Sequence, residues 1–392
     1  MVALELFLLA YFFYVVTYSL TFALAGYGYR KTLSNDPGTY SNFAVLIPSY
    51  KEDAVILDVA RQAVLQNYPR ENYQVFIIAD SLQPQTIMEL KKLPVTVIEV
   101  SFDSSTKVKS LNYALKQIPD DRYDFAVILD ADNVMETAFL EKMNSLLFGR
   151  DYKAVQGQRK PKNKNNNLAF LDGVSEAINN HIYRQGTVAL GLSSSISGSG
   201  IVFDFALLKE KLSAMNSVGG YDRELELKLL KENAPVYYYK DAVIYDEKVS
   251  KTKSFENQRK RWIFSQYFYL AKYFKEGCLS LLKGNFTFFN SAVLRNIQLP
   301  RLINLGLLTL LTGVSLLLHD YLLLGREAWI ALFLLNNVAI LISIPGEFYS
   351  RKMVRAFFNL PGIFVNMFLL LFKLKNANKK FIHTQHGVTS RD

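Results

Sequence analysis

Three short apolar runs of this chain end in acidic residues: FAVLIPSYKED at 43–53, FIIADS at 76–81 and FAVILDADN at 125–133. The last sets the carboxylates of Asp130 and Asp132 two residues apart at one run end, able to share a divalent cation through oxygen ligands. Mg2+ and Mn2+ are hard cations that suit such oxygens and a diphosphate. Any one of these acids alone reads better as a solvated loop group, but at three successive run ends they read as a site. Further on, GGYDRELELKLL at 219–230 offers carboxylates at Asp222 and Glu224, and FENQRKRWIFSQ at 255–266 runs Gln258, Arg259 and Arg261 into Trp262. By residue type that cationic segment suits a lipid headgroup layer, a nucleic acid, or the phosphates and sugar of an active site.

The elements that must position these groups follow from periodicity. Between 43 and 160, β-rich apolar runs (FAVLIP, YQVFIIAD, VTVIEV, FAVILD, KAVQGQ) alternate with segments of helical period (EDAVILDVARQAVLQ, PQTIMELKKL, KVKSLNYALKQI, METAFLEKMNSLL). Strands apolar on both faces and joined by helices predict an α/β domain with a mainly parallel sheet, whose ligands bind at the carboxyl ends of the strands. No GxGxxG follows the first strand and no GxxxxGK[ST] occurs, so neither a dinucleotide cradle nor a P-loop is available. A bound diphosphate must be neutralised by metal and side chains.

The chain of 392 residues is half hydrophobic, and residues 6–26, 302–318 and 328–345 are nearly uncharged runs of about membrane-spanning length. The first exceeds a signal-peptide core and ends without a small-residue cleavage site, so it predicts a retained helix within residues 1–30. Arg30 and Lys31 after it, and Arg351, Lys352 and Arg355 after the third run, put residues 31–298 and the 346–356 loop in the cytoplasm of a plasma (inner) membrane protein. The domain plan is then a cytosolic catalytic domain at 31–263, interfacial amphipathic helices at 264–298, a membrane region at 299–374 and a cytosolic tail at 375–392. The apolar stretch 356–372 has cations on both sides and is expected to lie in plane or re-enter, with a third span as the alternative. The formal charge of +10 gathers beside the apolar runs, where anionic lipid attracts it; no recognition motif accompanies it, so no nucleic-acid partner is expected. Cys278 alone excludes an internal disulfide and a cysteine metal site.

These residues resemble the inverting, membrane-bound family 2 glycosyltransferases, above all the cellulose, chitin and hyaluronan synthase branch, from about 43 to 265. VLIPSYKED is similar to the family's first strand and P-x-Y-x-E turn (Pro48, Tyr50, Glu52), and IIADS to the strand ending in the nucleotide-binding aspartate, Asp80. Lys107 in KVKSLNYAL resembles a lysine that opens the following helix, and VILDADN the metal-binding DxD, giving Asp132 the metal and Asp130 the nucleotide or metal. VQGQ at 155–158 and GSGIVF at 198–203 (Gly198, Ser199, Gly200) resemble segments that shape the donor and acceptor sites. QRKRW at 258–262 matches QxxRW letter for letter, implying nucleotide-sugar contacts for Gln258, Arg259 and Arg261 and an acceptor platform at Trp262. The tail FIHTQHG resembles a short gating segment, with His383 and Thr384 as candidates.

The resemblance implies a GT-A fold and a metal-dependent attack of an acceptor hydroxyl on a nucleotide sugar, UDP-linked by expectation. An alcohol needs a base, worth about 10²–10⁴ in rate. The family's acidic pair reads Arg223-Glu224 here, which favours Glu224 as base and keeps Asp222, one helical step away, as the alternative. QRKRW favours extension of a β-linked polysaccharide, with further subunits for export. Three or four apolar helices are few to enclose such a channel, which leaves transfer of one sugar to a lipid or lipid-linked acceptor. Arg223 beside the base leaves a third reading, a weakly active nucleotide-sugar or glycan-binding regulator.

Overall fold

Along the first strand, odd and even residues enter different cores. Phe43, Val45 and Ile47 pack among Ile56, Val59, Phe139 and Met143, whereas Ala44 and Leu46 pack among Val108, Leu111, Phe203 and Leu212. A strand buried on both faces needs helices on both faces, and the period of two delivers them. The computed structural model describes residues 2–30, 38–217, 219–318, 325–374 and 387; His383 and Thr384 lie outside these.

Eight strands form one sheet: β1 (Phe43–Tyr50), β2 (Tyr73–Asp80), β3 (Thr96–Val100), β4 (Phe125–Ile128), β5 (Val134–Met135), β6 (Ala154–Pro161), β7 (Ile201–Asp204) and β8 (Val236–Asp246). Their order is β3-β2-β1-β4-β7-β6-β8-β5. β1 pairs in parallel with β2 and β4, β2 with β3, and β6 with β8; β7 and β5 run the other way. The sheet is α/β and mainly parallel, as the alternation predicts. The run VYYYKDAVIYD is absent from the predicted strands because Lys240 and Asp241 interrupt its apolar pattern. The register explains it: Gly157 pairs with Tyr239 and Gln158 with Val243, so residues 240–242 bulge out of β8 and the strand resumes.

Among the described residues two helices are long and apolar enough to cross a membrane, Val2–Tyr27 and Gly325–Ile342. Two bent pairs raise the number of candidate spans to four: Phe286–Ile297 with Arg301–Leu317, bent by 53°, and Arg351–Phe357 with Leu360–Leu371, bent by 47°. The second bend falls in the stretch expected to lie in plane or re-enter, and by geometry it is a broken span or a re-entrant turn. The boundary expected between 263 and 264 does not exist as a break: Thr252–Leu282 is one helix of 31 residues. Its Phe255 and Ile263 pack with Ile303 and Met367 of the apolar helices, and its Tyr269 and Tyr273 pack with Leu227 and Leu230 beside the sheet. The helix joins sheet domain to apolar bundle because apolar positions recur along its whole length.

Candidate active site

The strand ends are shaped by tight turns. Lys51 and Ser81, directly after β1 and β2, both hold φ at 57°, a left-handed value that costs non-glycine residues energy. The backbone N–H of Lys51 donates to the carbonyl of Asp80 at 3.1 Å, tying the two crests together. Asp80 itself is buried and accepts from Ser81 at 3.0 Å and Ser105 at 3.1 Å. Thr106 caps the helix Lys107–Gln117 by accepting from Lys109, which sets Lys107 at its first turn. The Lys107 ammonium then binds the Asp130 carboxylate, donates to the carbonyl of Gly198 at 2.8 Å and lies 4.8 Å from the Tyr221 ring centre. Burial opposes its charge, but Asp130 outweighs that and raises its pKa.

A cavity of about 730 Å3 begins at these crests, lined by Pro48, Tyr50, Glu52, Asp80, Lys107, Asp130 and Asp132. Its wall also includes Gly198, Asp222, Gln258, Arg259, Arg261 and Trp262, and apolar residues on or next to the apolar helices, among them Leu305, Ile340, Ile344 and Met367. Most residues singled out in the sequence therefore share one space. Three do not. Ser199 is fully buried and accepts from the backbone N–H of Asp130 at 2.9 Å and from Asn133 at 2.6 Å, so it braces the DxD turn from behind. Gly200, at φ +63°, packs where an added Cβ would lie 2.5 Å from Ile244. The acceptor contacts expected of both are not formed on the cavity wall; of that trio only Gly198 lines it.

The third is Glu224, the favoured base. It is buried and does not line the cavity, and its carboxylate accepts from Lys272 at 2.7 Å, from Tyr269 at 3.2 Å and from Ser217, which does line it. Burial would raise its pKa, yet the bonds from Lys272 and Ser217 outweigh that and lower it. A carboxylate saturated with donors is a poor proton acceptor. Asp222 faces the cavity instead, with an added Cβ on Gly198 falling 3.4 Å from its Oδ2. Among the described residues its Oδ1 accepts from the backbone N–H of Arg223, at 2.9 Å. Burial raises its pKa, partly countered by Arg223 and Lys107. The helical period explains the exchange: two residues apart on a helix means about 200° around the axis, so only one of the pair can face the site.

Arg259 forms an ion pair with Asp172 and stacks its guanidinium 4.4 Å from the Trp262 ring centre, which leaves Trp262 44% exposed with a cation on one face. Behind them Arg159, Lys248, Asp246, Glu176 and Arg184 make a buried network, with Lys248 to Asp246 at 2.9 Å and Arg184 to Glu176 at 2.7 Å. Sequence reading missed this network. The signal was available in NLAFLDGVSEAIN, where Asp172 and Glu176 sit four apart in an otherwise apolar helix and must share a face. Among the described residues no cluster of three or more His, Cys, Asp and Glu gathers that would hold a metal on protein ligands alone. The DxD carboxylates still fit Mg2+ or Mn2+, which keep several waters and are commonly bound by one or two carboxylates plus substrate phosphates.

Residues 41–265 match the model of the family described as "Glycosyltransferase like family 2", more than half the chain. The poly(ribitol-phosphate) β-N-acetylglucosaminyltransferase TarS of Staphylococcus aureus is 24% identical over 131 residues, 31% of this chain and 22% of its own length. The chain thus spans about a fifth of that relative. A solved mannosyltransferase of Pyrobaculum calidifontis, PcManGT, in complex with GDP-Man and Mn2+, superposes with a TM-score of 0.59 at 16% identity, over 95% of this chain and 98% of that one. The crystal structure of TarS aligns over 56% of this chain and 38% of its own at 17% identity and a TM-score of 0.40.

Proposed function

Because the chain belongs to glycosyltransferase family 2, we propose that it is a membrane-bound inverting transferase that moves one sugar from a nucleotide sugar to a hydroxyl of a lipid or lipid-linked acceptor. The observation that carries this reading is the single cavity that joins acidic strand ends to Asp222 and then to a wall of Leu305, Ile340, Ile344 and Met367 between apolar helices. A polysaccharide channel needs polar partners for its hydroxyls along the span. An apolar wall favours an acceptor arriving from the bilayer, so the polymer-extending role inferred from QRKRW gives way to the single transfer.

In the proposed step the acceptor oxygen forms a bond to the anomeric carbon while the bond from that carbon to the diphosphate oxygen breaks on the opposite face. The diphosphate leaves with the electron pair, and the acceptor proton passes to the Asp222 carboxylate. Burial supports Asp222 as base, since it lifts the carboxylate toward neutral pH, where proton transfer is most effective. Lys107 neutralises Asp130 and shapes the crest that receives the diphosphate, while Asp80, held by serines, receives the nucleoside. Asp132, with Asp130, would hold the divalent ion, which supplies positive charge to the departing diphosphate. Trp262 offers a ring face to the acceptor sugar, with Arg259 stacked on it. The positive-inside pattern of Arg30, Arg351 and Arg355 supports a cytoplasmic sheet domain.

The test is a screen of UDP- and GDP-sugars with Mn2+ or Mg2+, using the full chain in detergent with extracted lipid, and mass analysis of the products. One added sugar on a lipid is the expected result. A ladder of sugar additions on a water-soluble glycan would overturn it.

A further inference from the structure

Where the polar part of the cavity meets its apolar part, cations outnumber their partners. Arg223 and Arg301 both line the wall, and among the described residues neither has a carboxylate within ion-pair distance. One terminal nitrogen of each, Nη1, is buried without a hydrogen-bond partner. Arg301 spends its other nitrogen on the neutral oxygens of Ser175, at 3.0 and 3.1 Å, and Asn179 at 3.2 Å. Arg295 joins them on the wall, 7% exposed; it pairs with Glu226, and its Nε is also buried without a partner. A buried unsatisfied guanidinium donor costs folding energy, so three among the residues lining one cavity are poorly explained by stability. They are well explained by a ligand that brings acceptor oxygens and negative charge.

We infer that the acceptor is an anionic lipid whose phosphate or diphosphate is held by Arg223, Arg301 and Arg295, with its chain along Leu305, Ile340 and Met367. The inference rests on the lipid-acceptor reading above and names its chemistry. The donor diphosphate is the other source of such oxygens, but the reading above gives it the crest lined by Asp130, Asp132 and Lys107, whereas Arg301 stands about one helical turn before Leu305 of the apolar wall. Guanidinium forks suit phosphate geometry and are charged at any working pH; burial, with Arg295 alongside, pushes Arg223 down to about 10, still protonated at neutrality. The arginine in place of the expected acid next to the base is thereby an acceptor-binding group.

The test compares full-length protein in nanodiscs on two probes: a polyprenyl diphosphate-linked N-acetylglucosamine and an alkyl N-acetylglucosaminide with no phosphate. Wild type should use the phosphate-bearing lipid at least about tenfold better in kcat/KM, the scale of one charge-assisted hydrogen bond. Arg223→Gln and Arg301→Gln should each raise its KM about tenfold while leaving nucleoside diphosphate affinity within about twofold, and Arg223→Lys should recover part of the loss. Equal use of both probes by wild type overturns the inference and leaves lipid transfer standing, and that comparison needs no variant to fold. A loss of nucleoside diphosphate affinity in the glutamine variants also overturns it, by assigning the arginines to the donor. Glycosylation of soluble glycans with neither lipid used would instead remove the lipid-acceptor reading itself.

Discussion

The two ends of the cavity are built in different ways. At the strand ends each functional group lies within a few residues of the strand that places it: Tyr50 and Glu52 at the end of β1, Asp80 closing β2, Asp130 and Asp132 just beyond β4. At the other end Asp172, Asp222, Arg259, Arg295 and Arg301 come from separate helices and meet only because those helices pack. The first end is a property of local chain course and the second of long-range packing. Substitutions at the crest should therefore alter donor and metal binding with little effect on the acceptor, and substitutions among the helices should do the reverse.

The sharpest way to break that division is the pair of carboxylates at the junction. Asp222→Asn should lower kcat by about 10²–10⁴ with nucleotide affinity nearly unchanged, measured by steady-state transfer and by nucleoside diphosphate titration. Retained turnover would remove Asp222 as base. Next in size is Asp132→Ala, which should weaken Mn2+-dependent nucleotide binding by about tenfold to a hundredfold, the scale of losing one or two charge-assisted contacts, and should do so in calorimetry without acceptor present. Trp262→Ala should raise acceptor KM by about tenfold, since an aromatic platform beneath one sugar is worth on the order of 1–1.5 kcal/mol, while donor affinity stays.

The pH profile sharpens the assignment further. A buried Asp222 with raised pKa must lose its proton to act, so kcat/KM should rise with pH through a value above the ordinary aspartate range. Arg223 lowers that pKa, so Arg223→Gln should move the rise to higher pH. The smallest effect is expected of Glu224→Gln. Lys272 is 44% exposed, so solvent screens the pair, and the variant should lose about 1 kcal/mol in denaturant unfolding while retaining turnover. A loss of kcat comparable to that of Asp222→Asn would restore Glu224 as base.

The sheet was legible because its signals are short-ranged. FAVLIP, YQVFIIAD and FAVILD declare strands by being apolar on both faces, and the acids that follow stand where such strands must stop. β8 was not legible, because its bulge at 240–242 makes sense only against β6. The same holds for Ser199, which lies in a segment that reads as ligand-binding but turns its hydroxyl to the DxD backbone. Nothing in GSGIVF specifies that direction.

Sequence alone was enough to determine an α/β domain with acidic strand ends, the apolar runs, and the cationic segment that ends in Trp262, because each rests on neighbours within about one element's length. Only tertiary structure set Asp222 on the cavity wall and Glu224 off it, made Thr252–Leu282 a continuous bridge between sheet and bundle, and left Arg223 and Arg301 on that wall with no carboxylate within ion-pair distance among the described residues. Those outcomes depend on which side of a helix meets which neighbour. A separation of two residues turns a side chain to the opposite face, and the neighbour that receives it can lie anywhere in the chain.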